Sequence, residues 1–204
     1  VYMSYITKDK AIKVNGQTWW VNSQGSGLIT HSIKSMINQV EAMLSHHSKI
    51  HIIRFDLRVI EYTENNKIMT VFNRRLHKWL KRKYNLNRVG FMWCRELETV
   101  KKQHYHYALL IDGHKVNYPY EITNKVKEVW RQLDGSEFFP NNCYYNVKRN
   151  DYETIQDAIW RISYLAKARG KGYKPDQTKN YGTSRIKPRA TKPRQSNNEM
   201  NNHE

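Results

Sequence analysis

Three short stretches of the chain carry side chains whose types and spacing suit catalysis. His104 and His106 flank one tyrosine in an apolar run, ending at Ile111, that predicts a strand. Residues i and i+2 of a strand share a face, so both imidazoles can reach one ion. The preceding predicted strand supplies Glu96, with Glu98 as a competing carboxylate on the same face. This donor set suits Mg²⁺ or Mn²⁺ and also Zn²⁺ or Fe²⁺.

The third stretch is a Tyr-x-x-Lys pattern, Tyr164 and Lys167, in the last predicted helix. Forming a tyrosine phenolate at pH 7 costs roughly 4 kcal/mol, because the free side chain has a pKa near 10. A divalent ion or a nearby ammonium lowers that cost. Attack of a tyrosine on phosphorus forms a covalent phosphate ester. The residues therefore predict phosphoryl transfer, while a purely structural role for the histidines and for an exposed Tyr164 stays open.

The charge of the chain indicates the partner. Its 204 residues contain 35 Lys and Arg against 18 Asp and Glu, a net charge of +17. Nucleic acid is the leading partner and anionic lipid the second. Because no apolar run reaches about 18 residues and no signal segment is evident, we expect a cytoplasmic protein without a transmembrane helix. Two cysteines, Cys94 and Cys143, exclude a disulfide framework and a four-cysteine zinc site.

Hydrophobic periodicity predicts the elements that must position these side chains. Period-two stretches alternate with amphipathic helical ones in the order β-α-β-β-α-β-α between residues 52 and 170. This order predicts an α+β fold, with helices covering an antiparallel or mixed sheet. We divide the chain into an N-terminal extension with an amphipathic helix (1–49), a catalytic domain (50–172) and a basic, mostly disordered tail (173–204), which has few hydrophobic residues.

The strand-borne His-x-His, the upstream Glu and the Tyr-x-x-Lys helix resemble the HUH endonucleases, the rolling-circle replication initiators and their relatives. The likeness is closer to the inovirus (filamentous phage) gene-two-type replication proteins and their prophage copies. Four stretches carry it: RFDL at 54–57, WCRE at 93–96, QHYHYALLIDG at 103–113 and SYLAKARGKGY at 163–173.

This resemblance implies an HUH/Rep-type antiparallel sheet, ferredoxin- or RRM-like, behind an N-terminal helical extension. It implies that His104, His106 and Glu96, rather than Glu98, bind Mg²⁺ or Mn²⁺. Tyr164 would nick one strand, keep the 5′-phosphate and free a 3′-OH, while Lys167 stabilises the scissile phosphate or the phenolate. Some relatives use a second catalytic tyrosine. In this chain the tyrosines that follow Tyr164 lie beyond the Tyr-x-x-Lys motif: Tyr173 and Tyr181.

The implied substrate is single-stranded or supercoiled origin DNA in the bacterial host cytoplasm, with neither a small-molecule substrate nor a membrane partner. No Gly-x-x-x-x-Gly-Lys loop is present, so a host helicase would unwind the duplex. Trp93, Tyr105 and Tyr107 are candidates for base stacking. The predicted DNA-backbone contacts are basic side chains: Arg54, Arg58, Arg95, Lys148, Arg149, Arg161, Arg169 and Lys171.

Other functions fit parts of the sequence. The main alternative is a DNA-binding regulator of a phage or prophage origin that keeps the same fold without catalysis. A zinc or iron enzyme on small molecules and a basic membrane-surface protein are further alternatives. The basic helix face from Arg74 to Lys83 is either an electrostatic contact surface for DNA or an ordinary solvated face.

Overall fold

A computed structural model describes residues 5–97, 103–171 and 177–190. The described chain is α+β, as predicted, with four helices and a large antiparallel sheet. The helices are α1 (Thr30–His46), α2 (Lys67–Tyr84), α3 (Tyr120–Arg131) and α4 (Tyr152–Ser163). The strands are β1 (Ile6–Thr7), β2 (Ala11–Val14), β3 (Gln17–Trp20), β4 (Leu28–Ile29), β5 (Lys49–Val59), β6 (Gly90–Leu97), β7 (Gln103–Asp112), β8 (Gly135–Phe138), β9 (Tyr144–Lys148) and β10 (Tyr181–Thr183).

The main sheet has the order β10-β6-β7-β5-β8, and every pairing is antiparallel. The 11-residue β5 pairs with β7 on one side. On its other side β5 pairs first with β9, over Lys49–Ile53, and then with β8, over Asp56–Val59. The sequence did not predict β8, because its four residues are mainly polar and none is buried.

Helices cover both faces of this sheet, which explains the nearly continuous apolar stretches in its central strands. One face packs against α1 and α4, with Ile52, Met92 and Leu110 in the shared core. The other packs against α2 and α3, with Phe55, Tyr107 and other side chains of the alternate strand positions. Helix α1 therefore packs on the same sheet as the central part of the chain.

The two ends of the described chain add short strands. Before α1, β1 pairs with β4 and β2 pairs with β3. Near the other end, within the segment predicted as the basic tail, β10 pairs with the edge of β6, with Tyr181 opposite Cys94. The open edge of β6 supplies hydrogen bonds to a segment that has no hydrophobic pattern of its own. Tyr173 and residues 191–204 lie outside the described residues.

No helix in the described ranges is long and apolar enough to cross a membrane.

Candidate active site

The predicted metal ligands meet where three neighbouring strands pass the end of α4. Glu96 lies directly opposite His104 in the β6–β7 register, and His106 is two residues further along β7. Glu96 Oε2 is 2.9 Å from His106 Nε2 and 3.8 Å from His104 Nε2. One ligand atom from each residue lies within 4.8 Å of the others.

This geometry fits a metal ion. Around an ion with ligands at about 2.1 Å, neighbouring ligand atoms are roughly 3–3.5 Å apart, and the distances of 2.9 and 3.8 Å from Glu96 to the two imidazoles lie on either side of that range. Two imidazoles and one carboxylate leave open positions for water or substrate, as a catalytic site requires. The competing carboxylate, Glu98, lies outside the described residues.

Asp56 is a site residue that the sequence did not single out. It lies opposite His106 in the β5–β7 register and accepts a hydrogen bond from His106 Nδ1 at 2.6 Å. Arg54 Nη2 holds the same carboxylate oxygen at 3.1 Å. This bond fixes a proton on Nδ1, so the Nε2 that now hydrogen-bonds to Glu96 is the nitrogen that would bind a metal ion, the common outer-shell arrangement at metal-binding histidines. Period-two spacing between Arg54 and Asp56 was visible, but the strand pairing that aligns them with His106 was not.

The electrostatics of the pair are strongly coupled. Burial lowers the pKa of His106, but hydrogen bonds to Asp56 and Glu96 outweigh it and raise this pKa to about 9. Burial likewise acts to raise the pKa of Glu96, yet the hydrogen bond from His106 and the charges of Lys171 and His104 hold it below its ordinary value. The site therefore keeps Glu96 as a carboxylate, the form that binds a cation.

Tyr164 stands beside this cluster, and its local structure differs from the prediction. Helix α4 ends at Ser163 instead of continuing to Gly170, and Tyr164 begins a 3₁₀ turn, Tyr164–Ala166. This turn directs the ring toward the sheet, although Tyr164 does not lie on the apolar stripe of the helix. Its ring centroid is 5.0 Å from that of His106, edge to face, and the side chain is 39% exposed.

The surroundings of Tyr164 favour its protonated form. Burial and the charge of Glu96 raise its pKa above the ordinary value, while Arg54 opposes this shift. The Arg54 guanidinium carbon lies 5.2 Å from the ring centroid. A bound divalent ion would add the positive charge that favours the phenolate.

The Lys167 backbone N–H donates to the Tyr164 carbonyl at 3.2 Å, but its side-chain amine has other partners than the Tyr164 hydroxyl. Its amine donates to Asn22 Oδ1 at 3.1 Å and to the carbonyl oxygen of Gln24, and burial lowers its pKa. The physical reason is packing at the end of the 3₁₀ turn. The backbone turns away from helical geometry at Lys167 (ψ 137) and bridges Leu28, which places the amine beside Asn22 and Gln24.

The chain after the 3₁₀ turn closes over Glu96. Gly170 accepts a backbone hydrogen bond from Leu97 at 3.1 Å and has φ +67. A Cβ at this position would lie 2.5 Å from Glu96 Cγ, so only glycine permits the close approach. Arg169 Nε is 3.8 Å from Glu96 Oε1, and Lys171 is 7% exposed.

A small open cavity of about 290 Å³ adjoins Tyr164. Two exposed aromatic side chains line it, Trp160 at 44% and Phe138 at 49% exposure. The predicted stacking residues are elsewhere: Trp93, Tyr105 and Tyr107 are buried in the core under α2 and α3. Exposure, which decides whether an aromatic ring can stack on a base, was not readable from the sequence.

Comparison with known proteins assigns the family. The model of the YagK/YfjJ C-terminal domain, a family of prophage-type proteins, matches residues 12–184. The chain belongs to the YagK/YfjJ C-terminal domain family. No curated protein and no solved structure matches it. The matched range contains the 3₁₀ turn and the three candidate metal ligands, Glu96, His104 and His106, which we call the metal cluster.

In this member of the YagK/YfjJ family, five of the eight predicted DNA-backbone contacts lie at the site. Arg54 and Arg161 line the cavity, and Arg169 approaches Glu96. Arg58 is exposed opposite His104 on the same face of the sheet, and Lys171 is close enough to lower the pKa of Glu96.

The other three are held elsewhere by the fold. Arg95 follows the strand alternation to the opposite face, where it donates to the Thr63 carbonyl at 2.6 Å and is 2% exposed. Lys148 and Arg149 lie at the far end of the sheet, where Lys148 pairs with Lys49 at the start of β5. Arg149 Nε donates to the Leu44 carbonyl at 2.6 Å and so caps the end of α1.

Proposed function

We propose that this chain is a metal-dependent DNA nickase and joining enzyme of the HUH type, acting through Tyr164 as a rolling-circle replication initiator does. One observation carries the proposal: the Tyr164 ring lies 5.0 Å from the ring of His106, within a cluster that can hold a metal ion. The resemblance to inovirus gene-two-type replication proteins supports the same reaction.

In the proposed step the Tyr164 oxygen attacks a backbone phosphorus. A bond forms between Oη and phosphorus, the bond from phosphorus to the 3′ oxygen breaks, and that oxygen takes a proton to leave as a 3′-OH. The phenol proton passes to solvent, and the 5′-phosphate stays on the enzyme. A bound Mg²⁺ or Mn²⁺ would polarise a phosphate oxygen. Joining reverses this sequence, because the phosphotyrosine ester conserves the energy of the cleaved bond.

Two arginines support a phosphate at this position. Arg54 and Arg161 line the cavity beside Tyr164, and the Nε atom of each is buried without a hydrogen-bond partner among the described residues. A buried donor without an acceptor costs about 1–3 kcal/mol, so an anion that reorients these guanidinium groups is favoured. The net charge of +17 supplies affinity for a polyanion.

The proposed setting follows from this chemistry. The substrate is single-stranded or supercoiled origin DNA in the bacterial cytoplasm, with strand separation left to a host helicase. Neither a small-molecule substrate nor a membrane surface has a role in it.

The test uses a random-sequence single-stranded 40-mer pool labelled at its 3′ end. With Mn²⁺ or Mg²⁺, the protein should retain the label after denaturation, and EDTA should prevent this. Tyr164→Phe should form no adduct, whereas Tyr120→Phe, which removes a hydroxyl from an exposed tyrosine on the opposite face, should match the unmodified chain. Equal labelling of Tyr164→Phe would remove this residue from its proposed role.

One observation favours the second candidate, a DNA-binding regulator without catalysis. The Lys167 amine is bound to Asn22 and Gln24 and does not reach Tyr164, unlike the role that the resemblance implies. A regulator would bind origin DNA but form no covalent protein–DNA adduct, whichever divalent metal ion is added.

A further inference from the structure

We propose that the cavity beside Tyr164 binds one unpaired nucleobase of the DNA strand, stacked on Trp160. The inference rests on the proposed function, since it names the form of the substrate at the same site. At about 290 Å³ the cavity is just below the range typical of ligand sites, roughly 300–1,000 Å³, and so suits a single base better than a larger ligand.

The aromatic walls come from two separate elements. Trp160 lies in the last turn of α4, four residues before Tyr164, and is 44% exposed. Phe138 ends β8 opposite Asp56 in the strand register, so its ring is on the same face as the metal cluster. Trp19, Trp93 and Trp130 are at most 7% exposed, whereas Trp20 is exposed (54%) but does not line this cavity. Trp160 and Phe138 therefore present exposed aromatic surface beside the candidate nucleophile, where the face of an unpaired base can stack.

The polar wall supplies hydrogen-bond donors. The Asn22 N–H donates to the buried Ser163 Oγ at 2.9 Å, which fixes the Asn22 backbone against the end of α4. Its side-chain Oδ1 accepts from Lys167 Nζ, so its Nδ2 amide remains as the donating end of the group. Lys167 is therefore a positioning residue for Asn22. Arg161 is held by the Asn141 carbonyl through Nη2 and adds a cation to the same cavity.

This combination favours an unpaired base over a base pair. Aromatic rings stack on the face of any base, but in duplex DNA both faces are already covered by neighbours. The Asn22 amide donor complements the ring nitrogens and carbonyl oxygens that an unpaired base exposes, while Arg161 remains available to the adjoining phosphate. A base held here positions the adjoining phosphate near Tyr164.

The experiment measures binding without cleavage. The full-length chain carrying Tyr164→Phe is titrated in EDTA with a fluorescent dT12, and then with a duplex of the same length. Adding Trp160→Ala should weaken dT12 binding by roughly tenfold and duplex binding by less than about twofold, while Trp160→Phe retains most of the affinity. Tyr120→Ala, which truncates an exposed aromatic of α3, is the matched control and should change neither.

A second measurement separates stacking from charge. One abasic site is placed at successive positions of the dT12. At one of these positions it should weaken binding to the Tyr164→Phe chain, and adding Trp160→Ala should abolish this dependence on position. Phe138→Ala should give the same pattern, and thermal unfolding should confirm that each variant is folded. Equal losses for single strand and duplex, or unchanged affinity in Trp160→Ala, would overturn the proposal.

The outcomes also distinguish the pocket from the reaction. If affinity depends on the position of the abasic site but the unmodified chain never forms an adduct, the base pocket is supported and the catalytic proposal is overturned. Adduct formation with unchanged dT12 affinity in Trp160→Ala keeps the catalytic proposal and removes the pocket.

Discussion

At the scale of single residues, the site depends on one imidazole held from both sides. His106 donates to Asp56 through Nδ1 and faces Glu96 through Nε2, at 2.6 and 2.9 Å. His106 is only 4% exposed, so water cannot replace either hydrogen bond and each one counts more than it would at the surface. Of the two imidazoles that could hold a metal ion, His106 is therefore the more firmly positioned, since His104 is partly exposed.

We expect His106→Ala to abolish metal-dependent cleavage while nonspecific DNA affinity changes by less than about twofold. Affinity comes mainly from phosphate contacts, and this substitution removes none of them. Adduct yield and DNA anisotropy measured on the same preparation check the prediction. His114→Ala, an exposed histidine beyond the end of β7, is the control, and parallel loss of cleavage and affinity would contradict the account.

We expect Asp56→Asn to weaken Mn²⁺ binding by roughly 10–100-fold, because an amide no longer fixes the proton on His106 Nδ1. Isothermal titration with Mn²⁺ measures this directly, without DNA. Asp157→Asn changes an exposed carboxylate on α4 and should leave the titration unchanged. Unaltered Mn²⁺ affinity in Asp56→Asn would show that the hydrogen bond has no outer-shell role.

At the scale of elements, the site is assembled by strand pairing and completed by the segment after α4. Three strands bring Glu96, His106 and Asp56 side by side, while the 3₁₀ turn and Gly170 bring the last part of the chain onto Glu96. The glycine makes a precise test possible, because Gly25 has a similar φ of +75, and a Cβ at that position would meet nothing within 4 Å.

Gly170→Ala and Gly25→Ala should both destabilise the fold by about 1–2 kcal/mol, the cost of a left-handed conformation for alanine. Only Gly170→Ala should also weaken Mn²⁺ binding, because its methyl group displaces the Glu96 side chain. Denaturant unfolding and metal titration on both variants separate the two effects. Equal Mn²⁺ affinity in the two variants would mean that Glu96 adjusts freely.

The elements also explain what the sequence revealed and what it did not. His104 and His106 were predictable because alternation within one strand is local. Asp56 was not, because its contact with His106 depends on the register between two strands 50 residues apart. The Lys167 amine lies beside Asn22 and Gln24, a contact with a segment about 145 residues earlier that the local Tyr-x-x-Lys spacing could not reveal. Strand β10 forms only by pairing with β6, so its own three residues carried no signal.

At the scale of the whole molecule, part of the positive charge is concentrated on a surface away from the candidate active site. Helix α2 has no acidic residue and exposes six cations between positions 74 and 83, on the face of the sheet opposite the metal cluster. Arg74, Lys78 and Arg82 follow one another at i, i+4 spacing, where like charges destabilise a helix by a few tenths of a kcal/mol per pair. A polyanion on this surface offsets that repulsion.

Replacing Arg75, Lys78 and Arg82 with Gln should weaken duplex binding and lower the slope of log K against log salt by up to about 2.7, or about 0.9 for each phosphate that is no longer neutralised. These three line a groove between α2 and α3. Adduct formation on short oligonucleotides should persist, since the groove is remote from Tyr164. Triple replacement of the exposed Lys8, Lys10 and Lys13 is the matched control, and identical slopes for both variants would show that α2 is an ordinary solvated face.

The most direct test of the central claim is to locate the covalent bond. After incubation of the full-length chain with single-stranded DNA and Mn²⁺, nuclease and protease digestion followed by mass spectrometry should find a nucleotide linked through a 5′-phosphate to the peptide containing Tyr164. A nucleotide on any other residue, or none despite demonstrated Mn²⁺ and DNA binding, would contradict the proposal that this tyrosine attacks the DNA backbone.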